Sequence, residues 1–276
     1  MNMKLAISNI AWTNEEEADV AAKLQELGVR YIEIAPTKIW SDPTKATIEQ
    51  INEYIEWWKK YDIEIVAFQS MLFARPDLKM FESSELRDET RQYLADFLRL
   101  AGDMGASRLV FGSPKNRQRG GMSTEEADNI ANRFFSELGD VAKQYNTMLC
   151  IEPNAPQYNC DYITTADEGA RLVRTINSEG IGLHLDTACM ALAGDDISKS
   201  IQDNGDILKH FHFSAPMLDR VYDRDDVDYR AAADALKRID YNGVVSIEMR
   251  PGEQGENVKR VKDAVSFVRN IFDKLD

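Results

Sequence analysis

Between Thr147 and Pro251 the chain repeats one unit: a short apolar run ending in a polar residue able to hold a metal, then a helical pattern. The runs are Leu149-Cys150-Ile151-Glu152-Pro153, Gly182-Leu183-His184-Leu185-Asp186-Thr187, His210-Phe211-His212-Phe213-Ser214 and Val245-Ser246-Ile247-Glu248-Met249. Each reads as a buried strand whose last polar side chain stands at its C-terminal end. If the strands run parallel, Glu152, Asp186, His212 and Glu248 meet at one rim. Three oxygen donors and one imidazole suit Mn²⁺, Co²⁺ or Mg²⁺ better than Zn²⁺, whose structural sites favour Cys and His.

The same unit runs through the first half of the chain. Lys4 to Trp12 alternates as a strand, and Asn14-Glu15-Glu16-Glu17 opens a helix through Leu27, ended by Gly28. Tyr31-Ile32-Glu33-Ile34-Ala35-Pro36 is the next strand, followed by a helix from Thr47 to Tyr61 and the strand Ile63 to Ser70. Met71 to Ser83 is a longer loop, and a helix from Glu85 to Met104 stops at Gly105. Arg108 to Gly112 is a strand, and Ser123-Thr124-Glu125-Glu126 caps a helix to Tyr145. Further helices are read from Thr165 to Asn177, Ile197 to Asp203, Tyr229 to Ile239 and Glu256 to Leu275.

Eight strands each followed by helical sequence, with no linker between them, predict one α/β domain over residues 1–276, a closed (β/α)₈ TIM barrel. An open doubly wound sheet is the architectural alternative. In the barrel, reactive side chains stand at the C-terminal ends of the strands. The period of two places His210, His212 and Ser214 on one face of their strand. His184 with Asp186, and Ser246 with Glu248 and Arg250, share faces in the same way. Val245, Ile247 and Met249 then pack outward on helices.

Other candidates lie on the loops. Ser113-Pro114-Lys115-Asn116-Arg117-Gln118-Arg119-Gly120-Gly121 is strongly basic, and its Lys115, Arg117 and Arg119 are candidates to clamp a substrate phosphate or carboxylate. Gln69 and Arg250 are strand-end candidates for substrate hydroxyls, and Asn154 joins them as a substrate-binding residue. Trp12, Trp40 and Phe68 are read as an apolar wall. Cys189 falls near the site with no general base to activate it.

Composition narrows the partners. A formal net charge of −14 argues against a protein that draws its affinity from neutralising nucleic-acid phosphates. No run reaches the roughly 18 apolar residues of a membrane span, and Met1 to Ser8 reads as a first strand, not a secretory signal. Cys150, Cys160 and Cys189 show no paired metal spacing, which fits reduced thiols and a cytoplasmic location.

Several segments together resemble the xylose-isomerase-like (β/α)₈ barrels, a superfamily of sugar and sugar-phosphate isomerases and epimerases, inosose dehydratase and endonuclease IV. They are Val110 to Arg117, Ile151-Glu152-Pro153-Asn154, Gly182 to Thr187 and His210 to Pro216. In the ketose 3-epimerase members, strand-end Glu, Asp, His and Glu bind one divalent metal, and the two glutamates exchange protons with the substrate from opposite faces. The resemblance assigns these roles to Glu152, Asp186, His212 and Glu248. Those epimerases usually carry a His three residues after the Asp, where this chain has Cys189. The lysine-bearing Gly-Ser-Pro-Lys-Asn-Arg loop looks more like a sugar-phosphate isomerase branch.

The resemblance therefore implies a divalent-metal-dependent isomerase or epimerase of a small sugar or sugar phosphate, working by proton transfer through an enediolate. An inosose-dehydratase-like lyase on the same metal and a non-catalytic sugar-binding barrel remain alternatives. Endonuclease IV needs many more histidines than His184, His210 and His212. Relatives often form dimers or tetramers, which the resemblance extends to this chain as a homo-oligomer, although no interface stripe is legible.

Overall fold

The computed structural model describes residues 3–273. Strands and helices alternate as β1 (Lys4–Ser8), α1 (Glu17–Glu26), β2 (Tyr31–Ile34), α2 (Ile48–Lys59), β3 (Glu64–Phe68), α3 (Ser84–Met104), β4 (Arg108–Phe111) and α4 (Thr124–Gln144). There follow β5 (Leu149–Ile151), α5 (Ala166–Ile176), β6 (Ile181–Asp186), α6 (Thr187–Ala193), α7 (Ile197–Asp203), β7 (Leu208–Ser214), α8 (Tyr229–Arg238), β8 (Val244–Glu248) and α9 (Asn257–Asp273). The strands form a closed barrel in sequence order, all parallel, with β8 returning to β1 through Lys4↔Val244 and Ala6↔Ser246. The sheet is therefore closed, and the open doubly wound alternative is excluded.

Local chemistry explains the element ends. Thr47 and Gln50 form a capping box on α2, as do Ser123 and Glu126 on α4. Gly105 closes α3 in the left-handed conformation at φ 76°. Two boundaries differ from the sequence expectation. The first strand stops at Ser8, whose side chain accepts from the Ile10 amide and turns the chain into a 3₁₀ segment. Between β6 and α7 an additional helix, α6, starts directly on Asp186 with no loop between. The residues beyond Asp273 in the expected last helix lie outside the described part of the chain.

The larger apolar core sits between barrel and helices, and Val245, Ile247 and Met249 belong to it as the period of two requires. A small apolar cluster of Ala6, Val66 and Val244 forms separately. On β8, Val244 has the parity of Ser246 and Glu248, which places this cluster inside the barrel, toward its N-terminal end. Polar side chains therefore occupy the C-terminal half of the interior. Register shifts fall at two of them, between Ile32 and Glu33 and between Leu183 and His184. Such irregularities re-aim a side chain at the cost of local pairing.

Candidate functional site

Glu152 follows the last residue of β5, Asp186 ends β6, His212 lies two residues from the end of β7, and Glu248 ends β8. The barrel brings all of them together. His212 Nδ1 stands 3.4 Å from Glu248 Oε2 and 3.8 Å from Asp186 Oδ2. Glu152, His184, Asp186 and His212 each offer an atom within 4.8 Å of the others, so His184 enters the cluster as well. Its Nε2 is 3.8 Å from Glu152 Oε1.

Beneath this group lies Glu33 of β2, which the sequence reading did not single out. Its carboxylate is fully buried and bridges two imidazoles, with Oε1 2.9 Å from His210 Nε2 and Oε2 2.9 Å from His212 Nε2. Burial works against charge on all of these groups. His212 and His210 nevertheless hold Glu33 well below the usual carboxylate range, and Glu33 with Glu248 holds His212 well above the usual histidine range. Burial and the two neighbouring imidazoles push His184 down, so it is neutral. The signal for Glu33 was present in β2, where it alternates with Ile32 and Ile34 and so faces inward.

The carboxylates are crowded. Burial first, then the charges of Asp186 and Glu248, push Glu152 up to about 8. Burial and Glu248 likewise raise Asp186, although Ser214 donates its hydroxyl to Asp186 Oδ2 and the Cys189 amide donates to Oδ1 at 2.7 Å. Asp186 is thus both a wall of the site and the N-cap of α6. Gly112 leaves the space that Glu152 occupies, because a Cβ there would collide with Glu152 Oε2. His212 Nδ1 is buried without a hydrogen-bond partner. Crowded carboxylates, one holding its proton near neutrality, and an unpartnered imidazole nitrogen aimed at them are what a cation relieves. The residues fit a divalent ion, with Glu33 as the outer carboxylate that orients its histidine.

Above the cluster opens a cavity of about 500 Å³. Gln69, Lys115 and Asn154 line it. Gln69 is held by donating to Ser8 Oγ at 2.7 Å and accepting from Ser70 at 2.9 Å. Asn154 accepts from Arg117 and turns its amide toward Cys189 Sγ at 3.5 Å. Burial, Asp186 and Glu152 push the Cys189 thiol well above its usual range, so it is no thiolate nucleophile.

Three expectations are corrected. Arg117 is fully buried and is no substrate clamp: its guanidinium donates to Glu152 O at 2.7 Å and Asn154 Oδ1 at 2.9 Å, tying β4's loop to the end of β5. Arg119 is likewise held by Asp161 and Met122 carbonyls. Arg250 is exposed and outside the cavity lining, beyond the end of β8, with its amide donating to Leu218 O. Trp12 packs on Trp58 and Phe68 is buried, and the apolar wall is made instead by Leu72, Phe73, Pro76, Pro114 and Leu218.

The backbone is strained around this mouth. Among the described residues, five that are neither Gly, Asn nor Asp have positive φ: Ser70, Ser113, Ile163, Met217 and Leu218. Ser70, Ser113 and Leu218 line the cavity, Met217 precedes Leu218, and Ile163 O accepts from the amide of Asn154. Strain of this kind gathers where function requires a fixed but unfavourable geometry.

Comparison with known proteins agrees with the geometry. A D-psicose 3-epimerase of Ruminiclostridium cellulolyticum is 25% identical over 277 residues, covering 95% of this chain and 89% of the relative. Among solved structures, an L-ribulose 3-epimerase superposes with a TM-score of 0.81 at 16% identity, covering 99% of this chain and 95% of the other. An IolI protein with a bound zinc atom superposes with a TM-score of 0.75 at 18% identity, covering 99% of both chains. These likenesses are in fold. The xylose isomerase-like TIM barrel family matches residues 21–271, and the chain belongs to that family.

Proposed function

We propose that this protein is a divalent-metal-dependent isomerase or epimerase of a small sugar, moving a proton on the carbon next to a carbonyl. The observation that carries the reading is the cluster of Glu152, Asp186 and Glu248 around the unpartnered Nδ1 of His212, at the floor of one cavity. Glu152, Asp186, His212 and Glu248 would hold the ion, which supplies polarisation of the substrate's carbonyl and hydroxyl oxygens. Mn²⁺, Co²⁺ and Mg²⁺ match the oxygen-rich donor set, and the zinc in the IolI neighbour keeps Zn²⁺ among the ions to be tested.

The chain's own groups do the proton work. Glu152 and Glu248 reach the cavity from β5 and β8, on different sides of the barrel axis. A proton taken by one and returned by the same group gives aldose–ketose isomerisation, and return by the other gives epimerisation. Glu152, ionised once the cation offsets the charges of Asp186 and Glu248, is placed to act as the base on the carbon beside the carbonyl. Gln69, Asn154 and Lys115 would hold the substrate hydroxyls, and Ser214 orients Asp186. Because Arg117 and Arg119 are committed to protein carbonyls, we favour a sugar without a phosphate. The 3-epimerase relative supports the reaction class.

The test is incubation of the metal-loaded protein with a panel of ketoses, ketose phosphates and inososes in heavy water. Deuterium at the carbon beside the carbonyl, with an isomeric product, supports the reading. A dehydrated product would place the chain with the lyases, and binding without any exchange would make it a binding protein.

A further inference from the structure

We propose that His184 is itself a ligand of the metal, so that β6 supplies two donors and the ion is held by two imidazoles and three carboxylates. This rests on the reading of the strand-end cluster as a divalent-metal centre, and adds a donor to its four.

Unpartnered nitrogens are the first argument. His184 is fully buried, and neither of its ring nitrogens has a hydrogen-bond partner. The two histidines of β7 differ, since His210 and His212 each pair with Glu33 through Nε2 and leave only Nδ1 unpartnered. Burying a polar atom without a partner is costly, and an imidazole with both nitrogens in that state calls for something to bind one of them.

Reach is the second. Two donors on one ion, each at about 2.1 Å, stand no more than about 4.2 Å apart. His184 Nε2 is 3.8 Å from Glu152 Oε1, the same separation as His212 Nδ1 from Asp186 Oδ2. Glu152, His184, Asp186 and His212 each offer an atom within 4.8 Å of the others, a spread that small side-chain turns close around a shared ion. Glu248 Oε2 joins them at 3.4 Å from His212 Nδ1.

The strand itself is the third. β6 and β7 shift register between Leu183 and His184, so the ladder is interrupted where His184 enters the cluster. Such an irregularity re-aims a side chain. His184 and Asp186 stand two residues apart on one face of β6, and both present a donor to the same group. An imidazole there adds a donor without adding negative charge to a site that already holds three carboxylates. Two imidazoles tilt the site toward Co²⁺ or Zn²⁺ and away from Mg²⁺, which takes oxygen ligands.

The experiment is pulsed electron paramagnetic resonance on the Mn²⁺-loaded protein grown with isotope-labelled histidine, which counts the imidazole nitrogens bonded to the ion. The wild-type protein should show two. His184→Gln should show one, and His210→Gln should still show two. The wild-type count decides even where a variant fails to fold. One nitrogen in the wild-type protein would overturn the proposal and leave the four-donor site standing. So would two nitrogens retained in His184→Gln, or a count that falls in His210→Gln. No bound Mn²⁺ at all would overturn both, so the two failures are distinguishable. Calorimetric titration gives a second readout: His184→Gln should weaken Co²⁺ binding at least about tenfold and Mg²⁺ binding less than about threefold. Equal losses for the two ions would overturn the assignment of His184 as a ligand.

Discussion

Glu33 Oε2 lies 2.9 Å from His212 Nε2, which leaves His212 Nδ1 to face Glu248 at 3.4 Å. The hydrogen bond fixes which ring nitrogen points at the carboxylates. Glu33→Gln keeps the shape but presents an amide that cannot accept from both His210 and His212. Metal affinity should fall about 10–100-fold, the usual cost of losing an outer carboxylate. Titration calorimetry with Mn²⁺ checks this, and unchanged affinity would remove Glu33 from the metal's support.

Glu152 gives the metal-free protein a distinctive pH dependence. Its carboxyl goes from an ordinary 4.5 to about 8 on folding, so between those values the folded state binds the extra proton. Stability is therefore fully present below about 4.5 and is lost as pH rises through about 8, on the order of 5 kcal/mol in all. Thermal unfolding without metal should drop by several degrees from pH 5.5 to 9. Added divalent metal should cancel the drop, and Glu152→Gln should reduce it, leaving the part that the raised His212 and Asp186 contribute. A metal-free melting temperature that rises over this window would contradict the placement of Glu152.

Gly112→Ala separates the site from the fold. The added methyl collides with the flexible end of Glu152 and meets Asn154 Oδ1 only at ordinary contact distance, so Glu152 swings and the barrel stays. Stability should change by less than about 1 kcal/mol, while activity falls about a hundredfold or more because the misplaced group carries the proton. Equal losses in both would mean that Gly112 serves packing alone.

Arg117→Met tests the correction to the basic loop. A buried guanidinium spanning Glu152 O and Asn154 Oδ1 predicts a stability loss of about 3 kcal/mol or more, since those acceptors are left unpaired. A substrate clamp would instead raise KM with normal unfolding. Chemical denaturation alongside steady-state kinetics decides between them.

Much of this architecture is legible in the sequence because its signals are local. The capping boxes at Thr47 and Ser123 and the glycine at 105 mark helix ends through nearest-neighbour chemistry. Parity turns His210, His212 and Ser214 to one face whatever the rest of the chain does. Glu33 was equally legible by parity, but its partners lie 177 and 179 residues away and nothing local announces them. The fate of Arg117 was not legible, because a basic loop residue reads the same whether its guanidinium meets solvent, substrate or a distant carbonyl. Helix α6 was hidden by its seven-residue length and by the double use of Asp186 as strand end and cap. The left-handed Ser70 and Leu218 carry no sequence mark, since neither residue type favours that conformation.

The most direct measurement is solvent deuterium incorporation by Glu152→Gln and Glu248→Gln, each assayed with metal retention verified and with the best substrate of the wild-type protein. The account predicts that each variant loses exchange at the carbon beside the carbonyl by at least about a thousandfold, while still binding substrate. Wild-type exchange in either variant with metal in place would contradict the assignment of that glutamate as a proton carrier.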